Sequence, residues 1–234
     1  MIEQLPSYIS IVFAFTTLAT LILFYWAIRQ SHSSGVNPNT VLWILIVWLA
    51  LQAILSLSNF YNTDTQLLPP RFVLLIIPPL LFILFLFITE KGRRFIDNLS
   101  LVELTWLHVV RIPVEIVLYW LFFHQAVPEL MTFAGRNFDI LAGLTAPLIA
   151  YYGLQKQKLS RRTILIWNFI ALALLINIVT NAALSAPFRF QLFAFDQPNI
   201  AILNFPFTWL PAFIVPAVLF SHLASIRQLL KSHS

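Results

Sequence analysis

The sequence predicts an all-α fold: a polytopic membrane helix bundle of about seven transmembrane helices, N-terminus outside and C-terminus cytoplasmic. Three observations carry that expectation. Of 234 residues, 59% are hydrophobic and only 10% are charged, with a mean hydropathy of +0.84. A soluble domain carries about 25% charged residues because water must wet its surface. The apolar residues also fall in runs of about 17 to 23, the length of a helical span. Barrel strands would read as alternating segments of about ten. Helices satisfy their own backbone polar groups in hydrocarbon, so long apolar runs mean helices. The third observation is the placement of Lys and Arg between the runs.

Cutting the chain at polar and Pro/Gly clusters gives Pro6–Ile28, Thr40–Asn59, Phe72–Thr89, Leu101–Phe123, Phe138–Leu154, Thr163–Leu184 and Phe205–Ile226. They form one membrane domain over residues 1–234. The fifth segment is short and holds Asp139 and Pro147. Arg29, Lys91, Arg93, Arg94, Lys156, Lys158, Arg161, Arg162, Arg227 and Lys231 follow odd-numbered spans, whereas Arg71, Arg136 and Arg189 follow even-numbered ones. The ten-to-three bias puts the first group in the cytoplasm and makes the chain a multi-pass plasma-membrane protein. Trp26, Tyr61, Trp120, Tyr151 and Tyr152 sit near span ends, where interfacial aromatic belts belong. Met1 to Ser7 carries Glu3 and no basic stretch, so the first run reads as a retained span rather than a signal peptide. The connection Ser185 to Asn204, with Phe188, Phe190, Leu192, Phe193 and Phe195, is too apolar to float in water. An interfacial anchor is the first expectation for it and a lid over the bundle mouth the second.

Composition narrows function by exclusion. The net charge of +5 resides in short basic loops, which is a topology signal and not a nucleic-acid footprint. Without cysteine there is no disulfide, thiolate metal site or cysteine nucleophile. The four lysines, Lys91, Lys156, Lys158 and Lys231, lie outside the spans, which excludes a retinal Schiff base. No HExxH, GxSxG or phosphate-binding loop occurs.

The informative residues are those that defy the hydrophobicity. The fourth span places Arg111 and Glu115 near mid-membrane. A charge at helix centre costs about 2.5 to 3.5 kcal/mol on insertion scales, so such groups face the interior and pair. At 100° per residue His108, Arg111, Glu115 and Tyr119 share an arc of about 80°. Arg111 and Glu115 are four apart and are expected to pair directly, with Glu115 then ionised. Pro113 between them removes a hydrogen bond to the carbonyl of Val109 and should kink the helix. Gln52, Ser56 and Asn59 on the second span, Asn177 and Asn181 on the sixth, and Arg136, Asn137 and Asp139 at the start of the fifth share the outer half. Together they suggest a polar cavity opening outward. Each amide taken singly is more often helix packing, at about 0.6 kcal/mol per bond, and Asp139 also suits a helix start. His108 and His222 lie at similar depth on two spans, a weak pattern for haem or metal ligation.

Three functions compete on these residues. The first is a small-solute or proton-coupled binding or transport protein, with Arg111 holding an anionic group and Glu115 its counter-ion or a proton carrier. The second is an accessory subunit whose polar residues fix packing against a membrane protein partner. The third is a small intramembrane enzyme acting on a lipid or isoprenoid through Glu115, His108 or Asp139. No cofactor is required by any of them, and the lipid bilayer is the one partner common to all.

Overall fold

In a computed structural model, residues 2, 5–31 and 36–231 are described; Glu3, used above to read the N-terminus, lies outside them. Among the described residues helix is the only regular secondary structure, with no strand. The helices are α1 (Ser7–Arg29), α2 (Pro38–Leu57), α3 (Val73–Ile88), α4 (Glu90–Asp97), α5 (Leu101–Trp106), α6 (Arg111–Phe123), α7 (Ile140–Leu148), α8 (Arg161–Leu184) and α9 (Val215–Lys231). Four helical stretches are long and apolar enough to cross a membrane: α1, α2, α8, and α9 with its preceding turn from Leu210. A fifth joins them if α3 and α4 count as one span, although these two meet at a 91° bend.

Proline explains why the remaining apolar runs are divided. Pro113 cannot donate to Val109, and the chain tightens into a 3₁₀ stretch, Leu107–Val110, between α5 and α6. The whole of 101–123 thus stays helical but in three pieces. Pro147 likewise precedes a widened π-helical stretch, Ile149–Gln155, that extends α7. Pro211 lies inside, and Pro216 just beyond, another such stretch, Leu210–Ile214, that leads into α9. The carbonyl of Ala212, which Pro216 cannot engage, accepts instead from the Trp48 indole at 3.0 Å. On α1 the buried Thr16, Thr17 and Thr20 turn their hydroxyls back onto carbonyls four residues earlier, which lets a polar face pack in an apolar bundle. At the α3–α4 bend a Cβ on Gly92 would sit 2.3 Å from the carbonyl oxygen of Leu86, so the corner requires glycine.

Helix ends gather at two poles. At one, Asp97 at the end of α4 binds Arg227 and Lys231 of α9, and Arg161 of α8 donates to the carbonyl of Gln228. This basic pole also receives the end of α1, where Ala27 and Ile28 pack with Phe95 and Ile96. At the opposite pole the connection after α6 meets the one after α8: Ile200 and Ala201 both donate to the carbonyl of Ala126, at 3.1 and 3.0 Å. Asn62, beyond α2, reaches Leu203 and Asn204 there, and Tyr8 at the start of α1 meets Trp120 edge to face.

The Ser185–Asn204 connection is divided in its burial. Its second half is folded over the bundle, with Ala201, Ile202 and Leu203 buried. Its tip turns outward, with Leu192 and Phe195 exposed, the latter 71%. Tyr61 departs from its expected interfacial role. It is buried and donates its hydroxyl to Gln52, because the turn after α2 folds inward instead of ending at the boundary.

Candidate functional site

The charges expected on the segment 101–123 lie in the middle of the bundle, but their pairing differs from the expected one. Arg111 is 2% exposed and forms a two-pronged ion pair with Asp139: Nε to Oδ2 at 2.6 Å and Nη2 to Oδ1 at 2.5 Å. Glu115 is not its partner. The reason is geometric, since a planar guanidinium matches a carboxylate facing it from another element better than one a turn along its own helix. Asp139 stands just before α7, so the pair joins α6 to the head of α7.

Helix packing permits this meeting. A Cβ on Gly143 would come within 2.9 Å of Ile112 Cγ1 and 3.3 Å of Arg111 Cβ. Glycine there lets α7 lie directly against the start of α6. The connection 124–139 contributes as well, folding inward with Ala126, Val127, Met131, Thr132 and Asn137 all buried. Asn137 accepts from the backbone N–H of Asp139 at 3.0 Å. Its amide donates to both oxygens of Glu115, each at 2.6 Å, and to the carbonyl of Met131 at 3.0 Å. Glu115, 1% exposed, therefore has a neutral amide as its partner and no ion pair.

The guanidinium extends further. Nη2 donates to the carbonyl of Ala171 on α8 at 2.9 Å, and Nη1 donates to His222 Nε2 on α9 at 3.1 Å. Arg111 thus uses four of its five N–H groups across three helices besides its own. Because arginine only donates, His222 Nε2 must accept. Its Nδ1–H then donates to Asn168 Oδ1 at 3.0 Å, and Asn168 passes a hydrogen bond to the carbonyl of Ile164. This polar thread runs from Asn137 down to the first turns of α8. His108 lies beside it, wholly buried, stacked on His222 with ring centroids 3.9 Å apart and planes 21° from parallel. Neither His108 nitrogen has a hydrogen-bond partner.

His108 and His222 are the pair on which the haem and metal alternative rests. Two axial histidines must point ring nitrogens at one ion from opposite sides, whereas His108 and His222 present faces to each other and both His222 nitrogens are engaged. Among the described residues no group of three or more His, Asp or Glu could hold a metal ion.

Several expected members of an outward polar cavity lie elsewhere. Gln52 holds Tyr61. Tyr119 packs against Phe123 and Phe133. Asn177 caps the carbonyl of Arg136 and receives a bond from Asn181. These are packing bonds between helices and loops. What Arg111, Glu115 and Asp139 share is a small cavity of about 50 Å³, otherwise walled by aliphatic side chains of α6, α8 and α9 such as Val114, Leu175, Ile178 and Val218. It has room for a water or two. Asn168 and His222 belong to the site, and a helical wheel carries a signal for the first. Asn168 lies in line with the apolar Ala171, Leu175 and Ile178 and about 180° from Asn177, so the buried face of α8 is the face of Asn168.

A helical protein with several membrane-length apolar helices and a sealed charge cluster at its centre is the class that fold and site define. The chain belongs to the family described as a domain of unknown function (DUF8737), which matches residues 68–230. That stretch contains Arg111, Glu115, Asn137, Asp139, Asn168 and His222, and begins after α2. No curated protein and no solved structure matches the chain.

Proposed function

We propose that this is a seven-span plasma-membrane protein that binds or transports a small solute in exchange for a proton, with Glu115 as the proton-carrying group and Arg111 as the anion-holding one. The observation that carries this reading is the count of charges. Two buried carboxyl groups face one guanidinium, and Asp139 already occupies it. A structural lock needs one carboxylate. A second, held by the Asn137 amide, forms no ion pair and is not needed to neutralise Arg111. An unpaired carboxylate is costly in hydrocarbon, so Glu115 is carried most cheaply with a proton. Releasing that proton makes it compete with Asp139 for Arg111, four residues away on the same helical face. Such competition is a two-state element that a proton or an anionic solute can bias.

The seven-span reading is supported by the alternation of ends. The stretches 97–101, 153–161 and 227–231 sit at the basic pole, and 59–64, 124–139 and 185–204 sit at the other. That is what successive crossings by α3 with α4, by α5 with α6, and by α7 require, and the basic pole would face the cytoplasm. The proline-divided helices over 101–123 and 140–155 then count as spans, tilted or bent.

Gradient-driven uptake of a panel of small solutes into proteoliposomes tests this. An imposed pH difference is expected to drive accumulation of at least one solute, lost in Glu115→Gln and in Arg111→Gln. Uptake that survives both substitutions contradicts the reading.

A second reading has its own support: the cluster is sealed, with Arg111, Glu115 and Asp139 each no more than 5% exposed. An accessory subunit would use such a cluster only to lock its helices for a partner. It is favoured if no solute accumulates and affinity isolation from membranes recovers a stoichiometric membrane protein.

A further inference from the structure

The basic pole holds a much larger cavity, an open cleft of about 600 Å³ between α5, the π-helical end of α7, the start of α8 and the end of α9. It is two-sided in character. Leu101, Leu154 and Leu229 give its lining an apolar part, and Arg161 and Lys231 a basic one. Asp97 also lines it, but its carboxylate is taken. Arg227 binds it through Nε and Nη2 at 2.8 and 3.0 Å, and Lys231 Nζ lies 2.7 Å away. Asp97 against Arg161, Arg227 and Lys231 leaves an excess of two positive charges around the cleft.

Two details argue that this excess is meant for an anion. Arg161 is fixed in place by one bond, Nη2 to the carbonyl of Gln228 at 2.8 Å, while its Nε is buried without a partner. A guanidinium with unspent donors beside a cavity is incomplete. In addition, α8 opens with Arg161, which lines the cleft, and has no acid in its first turn. That sets a cation at the positive end of a helix dipole, where a bound anion would relieve the repulsion. The level of the cleft is marked by Tyr151 and Tyr152, exposed on the same segment as in an interfacial aromatic belt.

We propose that this cleft binds the phosphate of an anionic phospholipid, with Arg161 and Lys231 on the phosphate and the first carbons of the acyl chains along Leu101, Leu154 and Leu229. Basic pockets between helices at a headgroup boundary take such lipids for this combination of charge and apolar wall. The proposal does not depend on Glu115 or on any transport step, so it can fail or stand separately from them.

The test is thermal unfolding of the purified full-length protein in detergent, titrated separately with short-chain phosphatidylglycerol, short-chain phosphatidylcholine and inorganic phosphate. Phosphatidylglycerol is expected to raise Tm saturably, and phosphatidylcholine is not. Arg161→Gln and Lys231→Gln should each weaken the apparent affinity by roughly tenfold. Arg162→Gln, which removes the same charge one residue away without lining the cleft, should leave it nearly unchanged. Equal stabilisation by phosphatidylcholine, equal loss in all three variants, or no saturable effect overturns the proposal. If inorganic phosphate matches phosphatidylglycerol, the site is one for a free anion and the lipid assignment falls.

Discussion

Two arginine–carboxylate pairs in this protein have nearly the same geometry and opposite surroundings. Arg111–Asp139 is sealed in the middle of the bundle, and Arg227–Asp97 lies at the basic pole with both side chains partly open. Each is two-pronged. At the pole, water can take over when a partner is lost, so the bond is worth little more than a good surface pair. In the bundle bulk water cannot take over, and Asp139 deprived of Arg111 keeps a buried, unpaired charge. Geometry therefore does not set the value of an ion pair. Access to water does.

The largest expected effect breaks the inner pair. Arg111→Met leaves Asp139 unpaired and should cost about 3–5 kcal/mol of stability, read as loss of folded protein after detergent extraction. Restoring balance with Arg111→Met together with Asp139→Leu should recover most of that loss, because two matched apolar groups replace two matched charges. If the double variant is no more stable than the single, the pair contributes more than mutual neutralisation.

A smaller effect comes from the close approach that makes the pair possible. Gly143→Ala pushes α7 from α6 and should destabilise by about 1–3 kcal/mol, seen as a lowered Tm. Next is the outer pair. Burial pushes the Asp97 carboxyl up, but the hydrogen bonds and charges of Arg227 and Lys231 outweigh it and hold the group below its ordinary value. A depressed carboxylate stabilises the fold above its unfolded pKa and loses that contribution as pH falls through the folded one. Asp97→Asn should thus cost about 1 kcal/mol near neutral pH. The difference from wild type should shrink with added salt and vanish well below about pH 4. The smallest effect on stability is expected for Glu115→Gln, under about 1 kcal/mol, since a glutamine oxygen can still accept from Asn137.

How much of this was legible in the sequence follows the same division. Helical membrane character was readable because composition and run length act locally. The polar face over 101–123 was readable too, since His108, Arg111 and Glu115 follow helical spacing and all three are buried. The partner of Arg111 was not. Spacing along one helix suggests Glu115, whereas the choice between Glu115 and Asp139 depends on how α7 docks, which Gly143 decides at long range. Asn137 reads from the sequence as a residue at a helix start and not as the partner of Glu115, because loop 124–139 folding inward has no periodic signature. Gln52, Tyr119, Asn177 and Asn181 are expected at the depth of Glu115, yet none of them lines the cavity it shares with Arg111 and Asp139. Depth is one coordinate of three.

Infrared spectroscopy of the carboxyl groups in the reconstituted protein tests the proton on Glu115 most directly. A protonated carboxyl C=O band is expected near about pH 7, absent from Glu115→Gln and retained in Asp97→Asn. A wild-type spectrum without that band, or a band that persists unchanged in Glu115→Gln, would contradict Glu115 as the proton-carrying group.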